Sequence, residues 1–120
     1  MSAISKKVYY TLKELFPLNV ILKEHYVNYK GAKLFFDFYI KDLGVLLEVQ
    51  GEQHAKFIEH FHEDKDGFVA QKKRDNLKVE YAEDKEIAFV KLYYNEKITK
   101  DLIRTKIYLA LNDKGKVGYE

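Results

Sequence analysis

The 120-residue sequence contains no cysteine, no tryptophan and a single proline. Without cysteine the chain can form neither a disulfide framework nor a thiolate metal site, and it has no cysteine nucleophile. No apolar run approaches the roughly 18 residues that a membrane crossing requires, and the N-terminal segment is too polar for a signal peptide. We therefore expect a cytoplasmic protein that does not bind membranes.

The length and the composition of the chain fit one globular domain. Apolar residues make up 47% of the sequence and charged residues 33%, which is the balance of an ordinary soluble protein. A chain of this size can enclose one core but not two. We predict a single domain over residues 1–112 and a frayed tail over residues 113–120. The composition leaves open whether the protein is a monomer or a homodimer.

Positive charge is concentrated near the N-terminus, although the net charge of the whole chain is only +2. Residues 1–36 contain six lysines against two glutamates, Glu14 and Glu24. A basic surface of this kind can face the phosphate backbone of a nucleic acid. A solvated, lysine-rich surface explains the same charges, so charge alone does not identify a partner.

Hydrophobic periodicity and turn residues predict three helices and four strands in the order α-β-β-β-α-β-α. This order is typical of an α/β domain in which helices flank one mixed sheet. The expected helices cover residues 4–16, 66–83 and 96–112, the strands cover 19–29, 33–40, 44–51 and 87–93, and residues 52–67 form an irregular loop.

An acidic residue, Asp37, interrupts the second strand, which is otherwise apolar enough to be buried on both faces. A carboxylate in such a strand is costly unless it is paired or bound to a cation. In the next strand the side chains alternate, and Glu48 shares a face with Leu46 and Gln50.

The turn between these two strands sets their register. A hairpin that turns at Asp42–Leu43 pairs Ile40 with Val45 and therefore places Asp37 opposite Glu48, on one face. Two carboxylates at this range repel each other unless a cation lies between them, and Mg²⁺ prefers oxygen ligands. The sequence thus predicts a Mg²⁺ or Mn²⁺ site here, with an acid paired to the backbone or to a lysine as the alternative.

The segment from Phe35 to Lys78 resembles PD-(D/E)XK nucleases, in the branch similar to very short patch repair endonucleases and their phage-borne relatives. That branch has an aspartate on one strand, an acidic residue on the next, a Gly and a Gln-His pair, and then a helix with Arg-Asp and Lys. The matching residues here are Asp37, Glu48, Gln50, Gly51, Gln53, His54, Gln71, Arg74, Asp75 and Lys78.

The resemblance implies a restriction-endonuclease-like three-layer α/β sandwich, whose mixed central sheet begins with an antiparallel three-strand meander. It also implies metal-dependent hydrolysis of DNA phosphodiester bonds. The metal ligands would be Asp37, Glu48 and the backbone carbonyl of Val49. Gln50 and Lys78 would orient the nucleophile.

The resemblance further implies contacts with the DNA and a role for His54. His54 would transfer a proton or contact a phosphate, and a histidine on a surface loop is the alternative. The residues implied to bind nucleic acid are Gln53, Gln71, Lys72, Lys73 and Arg74.

Two positions depart from the family pattern. Gln50 occupies the place where the pattern has lysine, and Lys78 on the following helix is the expected replacement for that charge. The first helix carries a single acid, Glu14, away from the position where relatives often have a third carboxylate. The departures leave two alternatives open: a DNA-binding module of the same fold with altered chemistry, and an interaction protein whose acidic pair is structural.

Overall fold

The computed structural model describes residues 1–50 and 65–113. Within these ranges the order of the elements is the predicted α-β-β-β-α-β-α. The elements are α1 (Ala3–Leu15), β1 (Leu22–Tyr29), β2 (Ala32–Ile40), β3 (Val45–Gln50), α2 (Lys65–Asp84), β4 (Ala88–Tyr93) and α3 (Lys100–Asp113).

The four strands form one mixed sheet in the order β1-β2-β3-β4. Strands β1, β2 and β3 are antiparallel neighbours, which confirms the predicted meander. Strand β4 pairs with β3 in parallel, after a connection that contains α2. A parallel pair needs a long crossover of this kind, because the chain must return to the starting end of the sheet.

Helices cover both faces of this sheet, and the buried side chains accordingly form two clusters. The α1/α3 core lies on one face and includes Val8 and Leu12 of α1 together with Ile103 and Ile107 of α3. The α2 core lies on the other face and contains Ala82 of α2. The protein is therefore an α/β domain with helices on both sides of a mixed sheet.

Strand β2 contributes to both cores, although its buried residues alternate as they would on one face. Leu34 and Phe36 belong to the α2 core, whereas Phe38 and Ile40 belong to the α1/α3 core. Residues two apart in a regular strand point to the same side. The side chains of β2 therefore change faces at Asp37.

The same change occurs in β1, at Glu24. Lys23 and His25 pair with the β2 residues on either side of Asp37, whereas Glu24 and Asp37 are not themselves a ladder pair. The backbone of Glu24 has a φ of 52°, in the left-handed region that side chains other than glycine and asparagine rarely adopt. We call this point the face switch; it separates each strand of the hairpin into two parts.

The hairpin between β2 and β3 has the predicted register, because Ile40 pairs with Val45. The ladder begins at that pair, and residues 41–44 form the turn. The amide of Gly44 donates to the carbonyl of Ile40 over 2.9 Å, and the φ of Gly44 is +70°, a conformation suited to glycine.

Several predicted boundaries differ from the observed ones. Helix α3 begins at Lys100 instead of residue 96, because the Thr99 hydroxyl accepts a hydrogen bond from the amide of Leu102 over 3.1 Å and so caps the helix. Helix α2 begins at Lys65, inside the predicted loop over residues 52–67. The rest of that loop, up to residue 64, lies outside the described residues. So does the predicted tail, apart from Asp113, which ends α3.

The helices bury one side and expose the other. In α3, Ile107 is fully buried, whereas the neighbouring Tyr108 and Leu109 are more than half exposed. Across the two described ranges, none of the helices is both long enough and apolar enough to cross a membrane.

Candidate active site

An open cleft of about 240 Å³ lies between the middle of β2, the C-terminal end of β3 and the middle of α2. It brings together residues that are distant in sequence. Six residues of the predicted site line it, namely Asp37, Glu48, Val49, Gln50, Gln71 and Lys78, together with Phe35 and Asp75. The predicted convergence of Asp37 and Glu48 is therefore present in the fold, but the two residues are not the directly opposed ladder pair that was expected, because the ladder ends at Phe38 and Leu47.

The cleft opens because the ladder between β2 and β3 stops early. The last pair is Phe38 with Leu47, and beyond it the amide of Val49 donates a 2.7 Å hydrogen bond to Oδ2 of Asp37. In a strand, the amide and the carbonyl of one residue point to the same side. The carbonyl of Val49, the predicted third ligand, therefore also points toward β2 and Asp37.

Glu48 is the buried acid of the site, with 8% of its surface exposed. Its Oε1 lies 2.5 Å from Nζ of Lys78, and the two side chains are 10% and 14% exposed. Burial raises the pKa of Glu48 above its usual range, the Lys78 ammonium opposes this rise, and the charges of Asp37 and Asp75 add to it. Lys78 thus reaches Glu48 from α2, on the side of the helix that the resemblance implied.

Helix α2 supplies a second polar group along the same cleft. Nε2 of Gln71 donates to Oδ1 of Asp75 over 3.0 Å, and Arg74 donates to Oε1 of Gln71 over 3.0 Å. Residues three and four apart in a helix are neighbours on its surface, which allows this chain of contacts. Lys72 and Lys73 are exposed on α2 but do not line the cleft.

The remaining predicted site residues lie elsewhere or outside the described ranges. Gln53 and His54 fall in residues 51–64, so their places relative to the cleft stay predictions. Glu14 does not supply a third carboxylate to the cleft, because it forms an ion pair with Lys100 of α3, 3.3 Å away.

The donor set of the cleft is suited to a hard cation. Within residues 1–50 and 65–113, no group of three or more His, Cys, Asp or Glu side chains is arranged to hold a metal ion. Mg²⁺ does not require such a group, since it is commonly held by one or two carboxylates and keeps several waters. The hydrogen bonds of Asp37 and Glu48 to described residues engage Oδ2 and Oε1, which leaves the second oxygen of each carboxylate for a cation.

One residue that lines the cleft, Phe35, was not predicted from the sequence. Phe35 was expected to be buried, but 56% of its surface is exposed. The face switch explains the difference, because it leaves Phe35 beyond the part of the sheet that α1 and α3 cover. A signal was available in the sequence: Lys33 and Asp37 alternate with Phe35, and polar neighbours at this spacing indicate an open face.

Comparison with known proteins gives one significant similarity and no family assignment. A 61-residue stretch of the chain is 38% identical to Uncharacterized protein 307L of Invertebrate iridescent virus 6. The match covers 51% of this chain and 31% of the viral protein, so the chain spans about a third of that protein's length. No family model and no solved structure matches the chain.

Proposed function

We propose that the protein is a metal-dependent endonuclease that hydrolyses DNA phosphodiester bonds. The observation that carries the proposal is the meeting of Asp37, Glu48 and the Val49 backbone in one open cleft, with Lys78 in contact with Glu48. A cluster of two acids and a cation in a water-accessible cleft is typical of phosphoryl-transfer sites. The proposal includes the restriction-endonuclease-like form of the sandwich, which the resemblance implies.

In this proposal Asp37, Glu48 and the carbonyl of Val49 hold Mg²⁺ or Mn²⁺. The bound cation would lower the pKa of the attacking water and offset the charge that develops on the scissile phosphate. The hydrogen bond from the Val49 amide fixes the orientation of the Asp37 carboxylate, so that its second oxygen has a defined position. A ligand held in place before the cation arrives loses less conformational freedom on binding.

Lys78 and Gln50 have different parts in the proposed reaction. Lys78 neutralises Glu48 while no cation is bound. Once a cation shares the charge of Glu48, the flexible lysine stem allows the ammonium to contact the phosphate or the nucleophile. Gln50 can orient a water by hydrogen bonding, but it is neutral and cannot favour hydroxide by charge.

The surrounding residues would bind the DNA. Gln71 lines the cleft and accepts a hydrogen bond from Arg74. Arg74 and the exposed Lys72 and Lys73 lie on the same helix, where they can contact the phosphate backbone. We keep the proposals that His54 assists proton transfer and that Gln53 contacts DNA. The enzyme would act in the cytoplasm as a monomer or a homodimer.

Nicking of a supercoiled plasmid in Mg²⁺ or Mn²⁺ tests the proposed activity. The parent protein should convert the plasmid to nicked circles, and Glu48→Gln should not. Glu83→Gln is a matched control, because Glu83 is an exposed glutamate near the other end of α2 and should leave nicking unchanged. Absence of nicking by the parent with both metals would contradict the proposal.

A second candidate is a DNA-binding module without hydrolytic activity. The observation that favours it is the close pairing of Glu48 with Lys78, next to a neutral Gln50 where the family pattern has lysine. Such a protein would bind DNA in a salt-dependent way and leave plasmids intact. An interaction protein whose acidic pair is structural would bind neither metal nor DNA, which calorimetric titration with Mn²⁺ and with a duplex distinguishes.

A further inference from the structure

Two aromatic side chains lie side by side on the open part of the β1–β2 hairpin. Tyr26 and Phe35 are directly paired across the strands, their ring centroids are 5.2 Å apart, and 46% and 56% of their surfaces are exposed. We call this pair the aromatic platform. The adjacent pair on the same face, Asn28 with Lys33, is also exposed and adds a positive charge.

The aromatic platform continues directly into the candidate active site. Phe35 lines the same cleft as Asp37 and Glu48. A strand of nucleic acid with a phosphate in the cleft would therefore have its neighbouring nucleotides beside the two rings. Lys33, farther along the hairpin, is placed to meet the backbone phosphates of those nucleotides.

Tyr9 and Tyr93 differ, because their rings contact residues of other helices or strands. Tyr9 stacks on Phe38 and has the Lys23 ammonium 4.6 Å from its ring centroid. The ring of Tyr93 is contacted by Lys106, at 5.4 Å. Tyr26 and Phe35 contact only each other among the ring and cation contacts of residues 1–50 and 65–113.

We infer that the aromatic platform stacks unpaired bases of the strand that is cut, so that the substrate class is DNA with a single-stranded section next to the scissile phosphate. The inference rests on the proposed function. Exposed aromatic rings bind bases through their flat faces, independently of sequence. A continuous duplex hides those faces between stacked base pairs, whereas a flap, an overhang or a branch exposes them.

A single tryptophan introduced at the platform tests base stacking directly, because the natural sequence contains no tryptophan. We expect oligo(dT) to quench the emission of Phe35→Trp in EDTA, where no cleavage occurs. Tyr108→Trp is the matched control, since Tyr108 is equally exposed, at 55%, but lies on α3, and its emission should change little. Equal quenching at both positions, or none at position 35, would overturn the inference.

Binding measurements separate this inference from the proposed hydrolysis. In EDTA, Phe35→Ala should weaken binding to a flapped duplex by at least about fivefold, which is the lower end of the loss expected for one stacked base. The same substitution should weaken binding to a blunt duplex by less than about twofold. Phe35→Tyr should retain flap binding. Plasmid nicking without a preference for flapped DNA would overturn the inference but not the proposed nuclease activity. Flap binding that Phe35→Ala weakens, without cleavage in Mg²⁺, would support base stacking and contradict the nuclease activity. If the tryptophan emission of Phe35→Trp changes with protein concentration when no DNA is present, the aromatic platform is a self-association surface and the inference is overturned.

Discussion

The carboxylate of Asp37 accepts a 2.7 Å hydrogen bond from the amide of Val49. This bond occupies the place where a longer β2–β3 ladder would supply a backbone acceptor, because the ladder ends at Phe38 and Leu47. Asp37 therefore has two functions that substitutions can separate: it satisfies a backbone amide, and it presents a negative charge to the cleft.

Asp37→Asn should abolish metal-dependent nicking and leave the fold unchanged, because its side-chain oxygen can still accept from Val49. Asp37→Ala should abolish nicking as well and also lower the free energy of unfolding by about 1–3 kcal/mol, since it leaves the partly buried amide without an acceptor. Urea denaturation without metal measures the difference. If the two variants are equally stable, the hydrogen bond does not support the fold.

Lys78→Met should lower the free energy of unfolding by about 3–5 kcal/mol at neutral pH, because it leaves Glu48 buried without its cation. Adding Glu48→Gln to Lys78→Met removes the isolated charge and should recover most of that loss. Chemical denaturation of the parent, the two single variants and the double variant gives a double-mutant cycle. Independent, additive losses would show that the 2.5 Å contact contributes nothing specific to stability.

Lys78 should also affect the chemical step. In single-turnover cleavage at saturating DNA, Lys78→Met should slow the reaction at least about tenfold, equivalent to about 1.4 kcal/mol in the barrier, and Lys78→Arg should retain more activity because it keeps the charge. A loss that appears only in DNA affinity and its salt dependence would identify Lys78 as a phosphate contact.

The Glu48 carboxyl should titrate above its usual pKa of 4.5 in the folded protein, since burial is the largest influence on it. The folded state then holds this proton more tightly than the unfolded state. The resulting stabilisation is present below pH 4.5 and is lost as the pH rises through the raised pKa. Carbon-13 NMR of the carboxyl gives the midpoint, which Lys78→Met should raise and Asp37→Asn should lower. Opposite shifts would contradict the assigned charges.

Replacing Glu24 by glycine should stabilise the protein or leave its stability unchanged. Glycine adopts a positive φ without steric cost, which offsets the entropy that it loses on folding. Asn28→Gly is the matched control at another exposed position of β1, where φ is not positive, and it should lower the free energy of unfolding by about 0.5–1 kcal/mol. Equal losses in the two variants, compared by thermal denaturation, would show that the conformation of Glu24 is not strained.

The hairpin register and the shared helix face of Lys78, Gln71 and Asp75 could be predicted because they depend on local rules. An even number of turn residues pairs Ile40 with Val45, and strand alternation then places Glu48 on the face opposite Leu47. Helical spacing similarly placed Lys78 beside Gln71 and Asp75.

The face switch could not be predicted from local rules. Glutamate is not among the residues enriched at positive φ, so nothing in the sequence marks Glu24 as the point where the side chains change sides. The exposure of Phe35 follows from that switch, and the polar neighbours Lys33 and Asp37 were its one signal in the sequence. The contact between Glu48 and Lys78 joins residues 30 positions apart, and its length depends on how α2 packs against the sheet.

The face switch also divides one hairpin between two cooperative units. Val27, Leu34 and Phe36 share buried contacts with α2, whereas Ile21, Phe38 and Ile40 share theirs with α1 and α3. Elements that bury each other's side chains tend to open together. Amide hydrogen exchange should therefore group the distal half of the hairpin with α2 and the proximal half with the terminal helices. The cleft lies on the boundary between these units, so a small opening of one against the other would widen it without unfolding either.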